Sequence, residues 1–419
     1  MPPDHGSAAV ATALADAHRR EWAFVLAATV RVTRDLDLAE ECVQDAYAKA
    51  LTAWATDGIP ERPGAWLTTT ARRRALDQLR RAHTARRLLP LLLDDDVEPG
   101  PEVTEQAGPV ADDRLRLIFT CCHPALNPDA QVALTLRLLC GLSTADTARA
   151  FLVSEPTMAA RITRAKKKIT GARIPYRVPQ AGDIRERVAG VCEVVHLLFT
   201  TGHTAPVGDA LVRRELTERA LDLARLLRTL LPDDADVAGL LALLLLTDAR
   251  RATRTDAEGR LLLLADQDRT AWDRAAIDEG LALVRFALAG RPTGRYTLMA
   301  AIAAVHDAAA HWEVTDWARI VGLYDTLHAV WPSPVVALNR AVAIGFADGP
   351  AAGLDAVDAL ADEPQLAGYG YLAAARADFL RRLERIAEAR RAYREALALT
   401  SNLTERQFLE ERLAGLPGG

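Results

Sequence analysis

The stretch GLSTADTARAFLVSEPTMAARITRAKKK, residues 141–168, contains two helical patterns joined by a short connection. Ser143 and Asp146 make a capping-box-like start to the first helix. Ser154 and Pro156 open the second helix, because a serine caps a helix well and a proline fits its first turn. Two helices joined by so short a turn have the layout of a helix-turn-helix.

The second of these helices carries two neighbouring stripes of side chains. Apolar residues recur at steps of four, three and four from Met158 to Ile169, and polar residues follow the same steps from Thr157 to Lys168. The apolar stripe predicts packing inside the protein. The polar stripe can enter a DNA major groove, where arginine reads guanine and lysine contacts phosphate. The candidate contacts are Thr157, Arg161, Arg164, Lys166, Lys167 and Lys168. The alternative is a surface helix pair with a basic end.

A second basic segment lies upstream. Residues 62–87 hold eight arginines and one acid, Asp77, a local charge of +7 in a chain whose net charge is −5. Such asymmetry points to a polyanion, and an aromatic side chain beside a basic track suits unpaired bases. The candidate contacts are Trp66, Arg73, Asp77, Arg80 and Arg81. The alternative is a solvated arginine-rich helix with Trp66 in the core.

Apolar residues recur at helical spacing along almost the whole chain, so we predict an all-α protein. Breaks in this pattern divide it into helical domains at 1–90, 113–173 and 184–419. The segment 91–112 reads as an acidic linker, since the stretch 94–113 holds eight acids and no Lys or Arg.

Composition narrows the class of protein. The 419 residues are 50% hydrophobic and 26% charged, as in ordinary globular proteins, and no apolar run is long enough to span a membrane. The five cysteines are few and scattered, and the N-terminus lacks a signal-peptide pattern. We therefore expect a cytoplasmic protein that does not enter a membrane.

The long C-terminal segment carries two features. Ala389, Tyr393 and Ala396 are spaced as in the second half of a tetratricopeptide repeat, although Glu384 stands where such repeats usually have glycine. The most tightly clustered polar group of the segment is predicted to form a polar network within or between domains, rather than a ligand pocket, and consists of Asp266, Gln267, Asp268 and Arg269.

Taken together, these segments resemble extracytoplasmic-function sigma factors. AEECVQDAY (39–47), Trp66-Leu67 and ALDQLRR (75–81) are similar to their region 2, and residues 141–168 are similar to their region 4. Four further segments are similar to the subgroup of these sigma factors that carries a C-terminal tetratricopeptide-like extension. They are DQDR (266–269), AAIAAVH (300–306), TDW (315–317) and SPVVALNRAVA (333–343).

The resemblance implies a sigma factor that binds core RNA polymerase and directs initiation at specific promoters. It implies region 4 contacts to the minus 35 element from the helix 157–168, and region 2 contacts to the minus 10 element around Arg73–Arg81. It further implies an intramolecular contact through which the extension regulates the sigma domains, no enzymatic activity and no cofactor. The residues that it implies for polymerase docking are Glu40, Glu41, Gln44 and Asp45.

Other patterns are weaker. Cys121-Cys122-His123, and His306-Asp307 with His311, could suggest a metal ion, but neither has the partner spacing of a metal site, so we expect core packing and no metal. The remaining functional alternative is a one-component helix-turn-helix regulator whose helical scaffold senses a ligand.

Overall fold

The computed structural model describes residues 5–88, 113–151, 153–179, 184–204, 213–290 and 293–417. Within these ranges the chain forms eighteen α-helices and one isolated β-bridge, between Thr255 and Leu261, and no strand. The all-α prediction is confirmed, while the predicted linker 91–112 lies outside the described residues. The helices are α1 His5–Thr33, α2 Leu36–Asp57, α3 Pro63–Leu88, α4 Asp113–Cys121, α5 Pro128–Leu134, α6 Thr144–Phe151, α7 Glu155–Gly171, α8 Ile184–His203, α9 Arg214–Leu230, α10 Ala235–Asp248, α11 Arg274–Ala289, α12 Arg295–Ala308, α13 Trp317–Val330, α14 Pro334–Ala347, α15 Pro350–Asp358, α16 Gly370–Arg382, α17 Ile386–Leu399 and α18 Leu403–Ala414.

The chain divides into two compact units. Unit 1 is Met1–Val194 and unit 2 is Val195–Gly419, so the boundary falls within α8. The two segments predicted as separate domains, 1–90 and 113–173, both belong to unit 1.

Helices α1, α2 and α3 pack against one another and form the first part of unit 1. The break between α1 and α2 is well defined, because the Asp35 carboxylate caps α2 by accepting hydrogen bonds from the backbone N–H groups of Asp37 and Leu38, at 2.8 and 3.0 Å. Leu26, Val43 and Leu67 are fully buried. Their burial follows from the apolar stripe that each helix turns inward.

The predicted helix-turn-helix is formed by α6 and α7, which pack together. Ser154 caps α7 by accepting from the Thr157 N–H, and the predicted apolar stripe is buried, consisting of Met158, Ile162, Ala165 and Ile169. Thr147 of α6 is fully buried as well. Its hydroxyl donates to the Ser143 carbonyl at 2.8 Å, so the core position carries no unpaired polar group.

The residues that precede the helix-turn-helix pack against α1. Helix α1 packs against α4 and against a π-helical turn, Thr135–Leu139, and the Trp22 indole N–H donates to the Leu138 carbonyl at 3.1 Å. Gly141 follows this turn with φ +69°, and a Cβ there would lie 2.7 Å from the His18 ring and 3.0 Å from the Trp22 ring. Glycine therefore meets both the backbone conformation and the close approach to α1.

Helix α10 lies at the centre of the first part of unit 2. It packs against α9, α11 and α12, and every residue from Val237 to Leu246 is buried. An all-round apolar helix is stable only when neighbours cover every face, which this arrangement provides. In the described part of the chain, no helix combines the length and apolar character needed to cross a membrane.

From α12 to α18, each helix of unit 2 packs against the next along the chain. Ala389, Tyr393 and Ala396 of α17 are buried, so the spacing noted in the sequence marks the face that packs against α16. Glu384, in the turn between these two helices, has φ +58°. The turn thus needs the left-handed conformation that glycine adopts most easily, and this chain uses a glutamate there.

Candidate nucleic-acid interface

The exposed side of α7 carries most of its predicted DNA contacts. Thr157, Arg164, Lys167 and Lys168 are exposed, opposite the buried stripe. The Thr157 hydroxyl lies 2.8 Å from the Ser154 hydroxyl at the start of the helix. This side therefore presents three cations and a hydroxyl, which are groups that contact DNA phosphates and base edges.

Arg161 belongs to the same sequence stripe but lies in different surroundings. Its guanidinium pairs with the Asp129 carboxylate at 3.3 Å, and its Cζ lies 5.4 Å from the centroid of the Phe151 ring. The side chain is 23% exposed. Arg161 thus holds α7 against α5 and α6, in addition to bordering the exposed face.

Lys166 points away from the exposed side of α7 and toward α2. Its ammonium group donates to the Asp37 carboxylate at 2.6 Å and to the Glu40 carboxylate at 2.7 Å. Burial lowers the pKa of Lys166, but the carboxylates of Glu40 and Asp37 outweigh this effect and hold the pKa above its ordinary value. Lys166 therefore stays charged and paired within the protein in this structure.

The predicted basic face of α3 is present. Arg73, Asp77, Arg80 and Arg81 are exposed, and Arg80 pairs loosely with Asp77 at 3.7 Å. Since these side chains fall on one side of a single helix, the cations form a continuous track.

Trp66 stands near the start of α3. It is half-buried, with its ring in an edge-to-face contact with the Trp54 ring at a centroid distance of 5.7 Å. The neighbouring Thr68 and Thr69 hydroxyls donate to backbone carbonyls of the same helix at 2.8 and 2.9 Å. Trp66 is thus partly accessible at one end of the basic track, while these two hydroxyls are engaged within α3.

The residues implied for polymerase docking separate into two groups on α2. Glu41, Gln44 and Asp45 are exposed; Glu41 accepts a hydrogen bond from the Gln78 side chain and Asp45 accepts one from Arg74, both on α3. Glu40, in contrast, is 5% exposed. Its carboxylate faces the helix-turn-helix segment and pairs with Lys166 and Arg137.

The polar group 266–269 makes its hydrogen bonds within unit 2. Gln267 accepts from the Thr253 hydroxyl at 3.2 Å, and the Asp268 carboxylate caps a 3₁₀ turn over Arg269–Ala271. Arg269 donates to the carbonyls of His306 and Ala309, both at 2.7 Å. Asp266 is exposed, and its backbone N–H donates to the Leu263 carbonyl. These bonds fix the long connection between α10 and α11 onto the end of α12.

Cys121, Cys122 and His123, which were considered as metal ligands, lie at the end of α4. Cys121 and Cys122 are buried, and burial raises the pKa of Cys122 to about 12, so the thiol stays protonated. The His123 Nδ1 accepts from the Ala125 N–H at 3.1 Å. Across the described residues, no three His, Cys, Asp or Glu side chains come together as metal ligands would.

One charged group was not singled out in the sequence, and another was noted for a different role. Arg137 pairs with Glu40 from a distant part of the chain, so no local spacing signals it. Asp307 of α12 was noted, but only as half of a metal pattern. It is 2% exposed, and its carboxylate pairs with the Arg250 guanidinium at 3.5 Å. Burial raises the pKa of Asp307 to about 6, against the lowering effect of Arg250 and Arg269.

Three family models match the chain. A model described as Sigma-70 region 2 matches residues 17–85, and one described as Sigma-70, region 4 matches residues 116–169. A family of unknown function (DUF6596) matches residues 187–288. The first match covers α2 and most of α1 and α3, and the second covers the helix-turn-helix with the helices before it.

One relative is similar over almost the whole chain. An uncharacterized protein of Rhizobium meliloti (strain 1021), R00370, is 43% identical over 391 residues, which are 93% of this chain and 92% of the relative. No solved structure matches the chain.

Proposed function

Because the chain belongs to the sigma-70 family, as an extracytoplasmic-function-like sigma factor with a C-terminal extension, we propose that it binds core RNA polymerase and selects promoters through two DNA elements. A role in transcription initiation follows from regions 2 and 4.

The observation that carries the proposal is the presence of two separate basic helix faces in unit 1. One is the exposed side of α7 in a helix-turn-helix, and the other is the track along α3. A helix-turn-helix suits the major groove of duplex DNA, while an arginine track with an adjacent tryptophan suits unpaired bases. A promoter that is duplex at one element and melted at the other needs both kinds of surface.

We assign the minus 35 contacts to α7. The exposure of Thr157, Arg164, Lys167 and Lys168 supports this assignment directly. Arg161 and Lys166 remain part of the proposed surface, and they contact DNA after leaving their present carboxylate partners.

We assign the minus 10 contacts to α3. Arg73, Arg80 and Arg81 supply exposed cations for the phosphates, and Asp77 lies among them. Trp66, half-buried against Trp54, offers the accessible part of its ring for stacking. A carboxylate within a basic track accepts hydrogen bonds from base amino groups and repels phosphates, so it favours bases at that point.

We assign core polymerase docking to α2. Glu41, Gln44 and Asp45 form its exposed polar edge, and Glu40 lies behind them. Three carboxylates and an amide on one helix suit a basic partner surface, and charge complementarity speeds such encounters.

We propose that the extension, 184–419, regulates the sigma domains by contacting them, in a protein that works in the cytoplasm without catalysing a reaction. The size of the extension and its own packed core support a folded regulatory domain rather than an unstructured tail. The test compares the full chain with a chain ending at Pro179 whose folding is checked by circular dichroism. An equal transcription rate from the same promoter would refute regulation by the extension.

The proposed function is tested by reconstitution. The purified protein is combined with bacterial core RNA polymerase and fragmented genomic DNA, and the 5′ ends of the transcripts are sequenced. We expect new start sites that share two upstream boxes, and we expect Arg164→Ala to weaken them. The matched control is Arg394→Ala, which removes the same charge from an exposed position of α17.

A sigma factor selects promoters only together with core polymerase, whereas a one-component helix-turn-helix regulator binds duplex DNA by itself. If neither the full chain nor the shortened chain produced new starts, while the full chain bound duplex DNA alone, the one-component regulator would replace the sigma factor.

A further inference from the structure

The carboxylate of Glu40 joins the two halves of unit 1. One oxygen, Oε2, accepts from Lys166 of α7 at 2.7 Å, and the other, Oε1, pairs with the Arg137 guanidinium in the π-helical turn. The Glu40 side chain is 7% exposed, and those of Lys166 and Arg137 are 11% and 18% exposed. Water screens such a group weakly, so the ion pairs are stronger than pairs on an open surface.

The ion pairs belong to a broader contact between the same two segments. Trp22 donates to the Leu138 carbonyl at 3.1 Å, Gly141 lies under the His18 and Trp22 rings, and the Tyr176 hydroxyl donates to the Ala27 carbonyl at 2.9 Å. Residues on both sides of the helix-turn-helix are therefore held against α1, while Lys166 of α7 is held against α2.

This arrangement conflicts with two of the proposed binding surfaces. Glu40 is implied in polymerase docking but is covered by its own chain, and Lys166 is implied in phosphate binding but is held by two carboxylates. One carboxylate cannot remain in these pairs and also form part of an open docking surface.

We propose that Glu40, Lys166 and Arg137 form a latch that holds unit 1 closed, and that core RNA polymerase competes with the latch for α2. The proposal rests on the proposed function for the identity of the competitor. Only open molecules bind polymerase, so the apparent affinity is the affinity of the open state multiplied by the fraction of molecules that are open. Release of the latch frees Lys166 for a DNA phosphate at the same time as it uncovers Glu40.

The variant that tests the latch is Lys166→Met, which removes the cation but keeps a long side chain. The matched control is Lys167→Met, which removes the same charge from the adjacent, exposed position of α7. A milder variant, Asp37→Asn, weakens the hold on Lys166 without leaving a buried charge unpaired, because the Asp37 side chain is 77% exposed. Asp37→Asn takes the place of Lys166→Met in both measurements if Lys166→Met does not fold.

The first measurement is a distance. Cysteines introduced at Lys49 of α2 and Thr163 of α7, both exposed, are spin-labelled in the full chain, where the native cysteines are buried. We expect one short distance in the parent and in Lys167→Met, and a longer, broader distribution in Lys166→Met. Equal distributions in all three proteins would overturn the latch.

The second measurement is the affinity for core polymerase without DNA, so that a lost phosphate contact has no effect. We expect Lys166→Met to bind roughly tenfold more tightly than the parent, and Lys167→Met to bind like the parent. Equal binding of both variants would refute competition at α2. If no protein bound polymerase, the proposed function would fail, while the distances would still decide whether the latch exists.

Discussion

Arg161 and Arg164 lie on one stripe of α7, and replacing each with alanine separates their roles. Arg164 is exposed, whereas Arg161 pairs with Asp129 at 3.3 Å and lies over Phe151. We predict that Arg164→Ala weakens promoter binding and leaves folding unchanged. Arg161→Ala should lower the free energy of unfolding as well.

The magnitudes follow from these contacts. An arginine that reads a base contributes about 1–3 kcal/mol to specific binding. Loss of Arg164 should therefore reduce promoter affinity roughly 5- to 150-fold, since 1.4 kcal/mol is about tenfold. Its effect on folding should stay within about 0.5 kcal/mol, as for other exposed positions. Loss of Arg161 removes a partly exposed ion pair and a cation–π contact, together about 1 kcal/mol of stability.

The assay measures both quantities on the same proteins. Promoter affinity is measured for the complex with core polymerase on the start sites found by transcript sequencing, and stability is measured by urea denaturation of the free chain. Arg394→Ala controls for the loss of one charge. If Arg164→Ala bound the promoter like this control, α7 would not read DNA through its exposed side.

Three further changes test the rest of the structure. Glu384→Gly should stabilise the protein by roughly 1 kcal/mol, because relief of a left-handed φ outweighs the added freedom of the unfolded chain, and a higher urea midpoint would show it. Gly353→Ala should cost about 1–3 kcal/mol in the same experiment, since a Cβ there would lie 2.5 Å from a Cα of α14. Burial, aided by nearby arginines, lowers the pKa of His203 to about 3, so the folded state keeps the imidazole neutral. Stability from this residue is complete above pH 6.5 and falls as the pH drops toward 3, by roughly 2 kcal/mol at pH 5. His203→Gln should remove that part of the pH dependence, and identical pH profiles for parent and variant would contradict it.

Features that depend on neighbours in sequence were predictable. Ser154 and Pro156 marked the start of α7, and steps of four and three residues identified its buried stripe. These signals come from caps and from helical periodicity, which act within a few residues.

Features that depend on distant residues were not predictable. Nothing in the sequence connects Glu40 with Arg137 and Lys166, since each sits on a different helical segment. Glu384 could be recognised as a departure from a repeat pattern, but its left-handed backbone conformation became known only from the structure of the turn. The pairing of Asp307 with Arg250 depends on how the connection before α11 folds over α12.

The difference between Lys166 and Lys167 shows why a run of like charges carries more than one role. Three consecutive helical positions are spread around much of the helix, about 100° apart, so in this structure the three lysines face different surroundings. Lys166 follows the buried Ala165 and borders α2, where two carboxylates compensate for its burial, while Lys167 and Lys168 face solvent. If the three lysines were only solvated, all three would be exposed. If they served only to bind DNA, the buried Glu40 would not pair with one of them. The charge of α7 therefore serves folding on one side and remains available for DNA on the other.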